Sequence, residues 1–299
     1  MTAGRTPLRI TTLRPIRDGA ILACAILVVA HLTGFVQTGV DAHSYWSSNP
    51  LDPYGSVRPG QFDAYFYAPA FTQLLGPLHL LPWPWFIALW TILLSAALVW
   101  QTGLWAGFAL LAVPVFADLT VANIHLLLAA AIVGGFRWPW LWFLPLITKV
   151  TPGIGLLWFV VRREWRNLAI ALGVTAALSL LSFAIAPRLW FEWVDTLRAV
   201  TRDPDTSFLV PIPLWIRMVA AVAVVVWGAR TDRRWAVPVA SMLALPILWI
   251  NGLAMLVGVV ALIPERLGPT PASRWLAAGP ARWLAAGPAR LPAAGPARN

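Results

Sequence analysis

Residues 19–36, GAILACAILVVAHLTGFV, form an 18-residue run without a charged side chain. A helix of this length nearly crosses the hydrocarbon core of a bilayer, which takes about 20 apolar residues. No clean small-x-small cleavage site follows the run, which favours a membrane anchor over a removable signal peptide. Arginines next to a membrane helix mark its cytoplasmic side. The sequence therefore predicts an anchor whose basic N-terminal segment, residues 1–18, is cytoplasmic and carries Arg5, Arg9, Arg14 and Arg17.

The composition extends this interpretation to the whole chain. Of its 299 residues, 59% are hydrophobic and only 11% are charged, whereas ordinary soluble domains are about 25% charged. So little charge cannot cover a soluble surface, which excludes a soluble globular fold. The net charge of +10 is attributed to cytoplasmic loop arginines. Because no soluble basic module is visible, no nucleic-acid partner is expected.

Eight further apolar runs follow the first one, and residues 19–263 are interpreted as one membrane domain. We expect an all-α polytopic integral membrane protein with roughly 9–11 membrane helices. Two runs carry helix breakers, so 138–161 is either one broken helix or two short ones, and 235–263 could be a hairpin of half-length helices. The other runs are 68–81, 83–100, 104–116, 121–136, 168–186 and 209–229.

Charged residues between the runs predict the topology. The arginine-rich connections 162–166 and 230–234 are expected in the cytoplasm. The single run 168–186 then places the acidic loop 187–208 outside. The chain is accordingly predicted to be a multi-pass protein of the plasma membrane.

Residues 264–299 end in a repeat, with RWLAAGPA at 274–281 and again at 282–289, then RLPAAGPA at 290–297. Each Gly-Pro pair interrupts a helix. A weakly ordered cytoplasmic tail is predicted, and an interfacial Trp/Arg anchor is the alternative.

The first outer loop, residues 37–67, is the candidate for chemistry. Its prolines rule out one continuous helix and predict a structured segment of short helices and turns. Asp41 could act as a general base on a hydroxyl, or it could simply cap a short helix. Aromatic rings around it could hold a sugar. The side chains proposed to contact substrate here are His43, Tyr45, Trp46, Asp63, Tyr65 and Tyr67.

Several polar side chains within the later apolar runs are further candidates. Lys149, the only lysine, precedes Thr151-Pro152, so it is interpreted either as an anion-binding ammonium at a helix break or as a lysine that reaches an interface. Arg217 could also meet a phosphate, or lie at the outer interface. Asn123 and His125 are candidate substrate contacts, with helix capping and a buried structural histidine as alternatives.

Metal binding is not indicated. The four histidines are scattered, and neither an HExxH motif nor a cysteine cluster occurs. No cofactor is predicted, although Asp41 and Asp63 could share a divalent cation.

Three stretches resemble one enzyme family. DAHSYW at 41–46, followed by YGS and by DAYFYAPAFTQLLGPLHLLPWPW at 63–85, is similar to the early segments of the polyprenyl-phosphate-sugar glycosyltransferases of family 87. VANIHLLLAA at 121–130 resembles the family's Gly-Gln-x-Asn motif, although Ala122, Asn123 and His125 replace its defining residues. TKVTPGIGLLWFVVRREW at 148–165 is similar to its Lys-x-Thr-Pro segment.

This resemblance implies a GT-C-like helical bundle and an inverting sugar transfer on the outer face. The donor would be a polyprenyl-phosphate sugar carrying mannose or another hexose or pentose, and the acceptor a glycolipid or an envelope polysaccharide. Asp41 would be the catalytic base, and Lys149 with Arg58 would neutralise the departing phosphate. A transporter or lipid flippase, or a non-catalytic relative of the family, are the alternatives.

Overall fold

The computed structural model describes residues 10–34, 38–55, 62–202 and 212–278. Within these ranges every regular element is helical. Five 3-10 segments cover Gly76–Leu80, Gly103–Trp105, Pro139–Trp142, Thr151–Leu156 and Ile250–Leu256. The α-helices are α1 (Ile10–Leu32), α2 (Val40–Ser47), α3 (Pro69–Leu75), α4 (Trp83–Thr102), α5 (Ala106–Leu111), α6 (Val113–Val121), α7 (His125–Gly135), α8 (Phe143–Thr148), α9 (Leu157–Val161), α10 (Trp165–Ile185), α11 (Pro187–Arg202), α12 (Leu214–Arg230), α13 (Ala236–Leu243), α14 (Val257–Ala261), α15 (Pro264–Leu267) and α16 (Pro271–Ala277).

Three helical segments of the described chain are long and apolar enough to cross a membrane: Leu13–Leu32, Trp83–Leu111 and Trp165–Ile185. The bent pair α6–α7 adds a fourth if it counts as one span. The prediction of an all-α polytopic membrane protein is confirmed. Within the described ranges, helices long enough to span number fewer than the 9–11 membrane helices expected, because several apolar runs break into short pieces.

Prolines account for two of these breaks. The run 138–161 is interrupted at Lys149 and Val150, just before Pro152, which cannot donate a main-chain hydrogen bond. The run 235–263 splits near Pro246 into α13 and the segment from Ile250 to α14. The run 138–161 is therefore interrupted, and the run 235–263 forms two half-length pieces.

The two arginine-rich connections lie together. Arg162 pairs with Asp232 at 2.9 Å and donates to the Ala229 carbonyl at 3.2 Å. The Arg234 guanidinium lies 5.5 Å from the ring centroid of Phe136, at the end of α7. We call this side of the molecule the basic face.

The first loop lies at the other end of α10. Trp193 of α11 donates from Nε1 to the Phe66 carbonyl at 2.9 Å, which joins α11 to the first loop. The 21 residues of α10, about 30 Å of helix, separate this contact from the basic connection at 162–166. We call this second side the loop face.

Helical structure extends beyond residues 19–263 in both directions. The first long helix begins at Ile10, inside the segment assigned to the N-terminus. Residues 264–278, assigned to the weakly ordered tail, form α15 and α16 and pack against the bundle. The Trp275 ring lies 4.7 Å from Trp138 and 4.5 Å from the Arg137 guanidinium, so aromatic burial holds this segment. The later repeat residues, 279–299, lie outside the described ranges.

The Trp142 side chain fills the core between the short helices. Its buried indole packs between Gly135 and Gly155, where a side chain would have no room. A Cβ on Gly155 would overlap the Trp142 ring and lie 2.8 Å from Val237 Cγ1. Close packing at this point therefore depends on the absence of side chains.

Replacing Gly155 by alanine is expected to lower the melting temperature of the purified protein in detergent. Overpacking a filled core costs about 1–3 kcal/mol. Gly173 in α10 is the matched control, because a Cβ there meets no atom within 4 Å. Gly173→Ala should leave the melting temperature unchanged or raise it. Equal melting temperatures for Gly155→Ala and the parent would contradict this packing argument.

Candidate functional site

The site is built on the break between α6 and α7, which bends the chain by 110°. Ala122 adopts a φ of 54° there, in the left-handed region that favours glycine. The Trp90 indole donates to the Ala122 carbonyl at 2.9 Å, and the Asn123 amide donates to the Asp118 carbonyl at 3.0 Å. The break is thus held by hydrogen bonds in an otherwise apolar region, and it leaves Asn123 free of helical constraints.

Asn123 holds the carboxylate of Asp41. Its Nδ2 donates to Asp41 Oδ2 at 2.6 Å, while its Oδ1 accepts from the Ile124 amide at 2.7 Å and from the Tyr45 hydroxyl at 3.4 Å. Two residues 82 positions apart, both selected from the sequence, are therefore in direct contact. Asp41 Oδ1, the other oxygen of this carboxylate, has no hydrogen bond to the described residues.

Two buried tyrosines extend this network. The Tyr45 and Tyr67 hydroxyls lie 2.8 Å apart, and Lys149 Nζ lies 5.7 Å from the centroid of the Tyr67 ring. Burial raises the pKa of both phenols, so they remain neutral. Asp41, Asn123, Tyr45, Tyr67 and Lys149 thereby form one continuous constellation, which we call the Asp41 cluster.

Lys149 directly follows α8 at the helix break, and the next residue, Val150, has a φ of 52°. The Ala68 main-chain N–H donates to the Ile147 carbonyl at 3.3 Å and fixes the residue before α3 against α8. Among the described residues, Lys149 Nζ has no hydrogen bond or ion pair. Lys149 is half-buried, and an ammonium without such a partner can bind an anion.

Burial raises the pKa of Asp41 above its ordinary value, and the hydrogen bond from Asn123 and the charge of Lys149 partly offset that increase. An elevated pKa is what a general base requires to take a proton from a hydroxyl. The carboxylate is half-exposed, so a substrate can reach it.

His43 faces away from Asp41, because residues two apart on a helix point about 200° apart. Its Nδ1 lies 2.7 Å from Asp63 Oδ1, and both side chains are partly exposed. Trp46 and Trp83 lie against the imidazole, with centroids at 5.3 and 4.8 Å. Asp63 is thus tied to His43, and neither is joined to Asp41 in a shared cation site. Trp83 was not selected from the sequence, since nothing in its helix sets it apart from the other tryptophans.

His125 is held by a partner that sequence reasoning did not select as a site residue. Its Nδ1 lies 2.8 Å from Asp118 Oδ1, and Asp118 Oδ2 accepts from the Leu126 amide at 3.2 Å. Both side chains are buried, and His125 Nε2 has no partner in the described structure. The acid in the run ADLTVANIH was the available signal.

The remaining predicted residues lie apart from the Asp41 cluster or have other partners. Arg217 donates to the carbonyls of Ile212, Leu243, Leu245 and Pro246, which closes the break after α13. Trp46 donates to the Leu81 carbonyl at 2.8 Å. The Tyr65 ring packs on Tyr67, and its hydroxyl has no hydrogen-bond partner among the described residues. Arg58 lies outside the described residues. Across the described ranges no group of three or more His, Cys, Asp or Glu side chains could hold a metal ion.

The family comparison covers most of these residues. The model of glycosyltransferase family 87 matches residues 65–279, more than two thirds of the chain. That range includes Tyr67, Asn123 and Lys149, whereas Asp41 precedes it. Neither the curated proteins nor the solved structures yield a match. The chain therefore belongs to glycosyltransferase family 87, as a membrane glycosyltransferase with an all-α bundle.

Proposed function

We propose that this membrane glycosyltransferase takes a sugar from a polyprenyl-phosphate donor and passes it to a glycolipid or envelope glycan on the outer side of the plasma membrane. The Asp41 cluster carries this proposal. It places a carboxylate of raised pKa within electrostatic range of an unpaired ammonium, at the loop face. A base and an anion-binding group are the two requirements of transfer from a sugar phosphate.

The chemistry follows from these two groups. Asp41 accepts the proton of an acceptor hydroxyl, and the hydroxyl oxygen attacks the anomeric carbon. The bond from that carbon to the phosphate oxygen breaks, and the lipid phosphate leaves with the electron pair. Lys149 stabilises the negative charge that grows on the phosphate. A single displacement of this kind inverts the anomeric configuration.

The other site residues orient the groups that react. Asn123 fixes the Asp41 carboxylate, and the Tyr45 and Tyr67 hydroxyls offer neutral hydrogen bonds to sugar oxygens. The His43–Asp63 pair, with Trp46 and Trp83, has the aromatic surface and polar atoms that suit an acceptor sugar.

Four further residues complete the proposal: Arg58, His125, Tyr65 and Arg217. Arg58 keeps the phosphate role that the resemblance implies. His125 and Tyr65 have polar atoms without partners among the described residues, which substrate oxygens would satisfy. The Arg217 guanidinium donates to main-chain carbonyls, and its role is to hold the segments of the bundle next to the site.

The orientation is part of the proposal. The N-terminus and the basic face are placed in the cytoplasm, in agreement with the arginine distribution. The loop face then lies outside, where lipid-linked sugars meet envelope acceptors. We assign no step to a divalent cation.

Asp41→Asn should reduce sugar transfer by at least about 100-fold, because a positioned general base contributes about 10²–10⁴-fold. The assay follows a labelled sugar from polyprenyl-phosphate donors into a membrane extract. Asp195→Asn is the matched control, since Asp195 is an exposed acid of α11 paired with Arg198. Full activity of Asp41→Asn would refute the base assignment, and lipid translocation without transfer would favour the transporter alternative.

Lys149→Met should raise the KM for the donor at least about tenfold and leave the KM for the acceptor nearly unchanged. The ammonium contacts the phosphate only, and a lost charge-assisted contact is worth roughly 1.5–3 kcal/mol. Steady-state kinetics with each substrate varied separately distinguishes the two. An equal rise in both constants would indicate a structural role for Lys149.

The acid limb of the kcat/KM profile should lie above the ordinary carboxylate range near pH 4, because Asp41 must be deprotonated and its pKa is raised. Asn123→Ala removes an interaction that lowers this pKa, so the limb should move to higher pH. The pH profiles of the parent and the variant provide the test. A limb that stays in place in Asn123→Ala would contradict the role of the amide.

A further inference from the structure

A cavity of about 680 Å³ lies between the first turns of α1 and the C-terminal segment 266–274. It belongs to the basic face, because α16 contacts Arg137 and Trp138 at the end of α7, near the arginine connections. Neither the proposed chemistry nor the family match assigns a role to it.

Four arginines line this cavity: Arg14, Arg17, Arg266 and Arg274. Arg17 pairs with the neighbouring Asp18 at 2.5 Å. The other three form no ion pair or hydrogen bond through their side chains within the described structure. Asp18 and Glu265 are the nearest acids in sequence, and neither lines the cavity. The cavity therefore holds an excess of unpaired positive charge.

The cavity walls between these arginines are apolar, with Leu13, Ile21, Val99 and Leu104 among them. Ile21 is also 43% exposed, and Leu22 beside it is 61% exposed, along the candidate span Leu13–Leu32. The cavity thus opens along a surface that faces lipid. A soluble anion would gain nothing from these walls, whereas an acyl chain would.

We propose that this cavity binds the headgroup of an anionic glycerophospholipid from the leaflet at the basic face. Its phosphate meets Arg14, Arg266 and Arg274, and the upper parts of its acyl chains lie against Leu13 and Ile21. Basic pockets between membrane helices recognise such headgroups through charge, worth about fivefold in affinity per arginine.

A bound lipid would also join the two ends of the chain. Arg14 belongs to the first helix, and Arg266 and Arg274 to the last described segment. A ligand that binds only the folded protein raises its thermal stability. The lipid is therefore expected to raise the melting temperature as well as to remain bound.

Native mass spectrometry of the detergent-purified full chain, with phosphatidylglycerol or phosphatidylcholine added, tests the proposal. The parent should retain phosphatidylglycerol preferentially. Arg266→Gln/Arg274→Gln should weaken that retention by on the order of tenfold or more, from two lost arginines. Arg230→Gln/Arg233→Gln is the matched control, since it removes the same charge from exposed positions on the same face but outside the cavity.

Three results would overturn the proposal: no preference for phosphatidylglycerol in the parent, an equal loss in both double variants, or competition by free glycerol phosphate at concentrations similar to the lipid. A melting temperature raised by phosphatidylglycerol in the parent and in the control, but not in the cavity variant, would support it. Asp41→Asn should retain the lipid like the parent, so the outcome is independent of sugar transfer.

Discussion

The hydrogen bond between Asn123 Nδ2 and Asp41 Oδ2 is the contact on which the site depends. It connects the first loop to the break between α6 and α7, where the Tyr45 hydroxyl also donates to Asn123 Oδ1 at 3.4 Å and the Gly39 main-chain N–H donates to the Thr120 carbonyl at 2.9 Å. A carboxylate is costly in such surroundings unless hydrogen bonds or an opposite charge stabilise it. The amide of Asn123 and the charge of Lys149 offset part of that cost, and they leave one carboxylate oxygen available.

Interrupted helices make this arrangement possible. Asn123 follows a left-handed residue, and Lys149 precedes another. Irregular backbone at membrane depth is tolerated only where protein or a water-filled cavity satisfies its polar groups. Here the Trp90 indole, the Asp118 carboxylate and the Arg217 guanidinium supply those partners. The same breaks that reduce the number of long helices therefore bring polar side chains together inside the bundle.

Apolar run lengths and charge in the sequence predict the membrane class, and all five residues of the Asp41 cluster are candidates from the sequence. They do not predict how the breaks fold, because the contacts of Arg217 and Trp275 join segments far apart in the chain. The sequence predicts a weakly ordered tail over residues 264–299. In the structure Trp275 packs against Trp138 and Arg137, which lie far from it in the sequence and come near it only in the folded bundle. Asp118 was visible as an acid in an apolar run, but its pairing with His125 required the 110° bend.

Most of the first loop lies outside the range of the family match, which begins at residue 65. Residues 65–279 contain Asn123, Tyr67 and Lys149. The carboxylate that accepts from Asn123 Nδ2 belongs to Asp41, which precedes the matched range. The matched segment thus supplies the amide that holds this carboxylate, and the preceding loop supplies the carboxylate. Ala122 stands where the resembled motif has a glycine, and its φ of 54° lies in the left-handed region that favours glycine. The break between α6 and α7 therefore has a backbone conformation suited to glycine, although the residue is alanine.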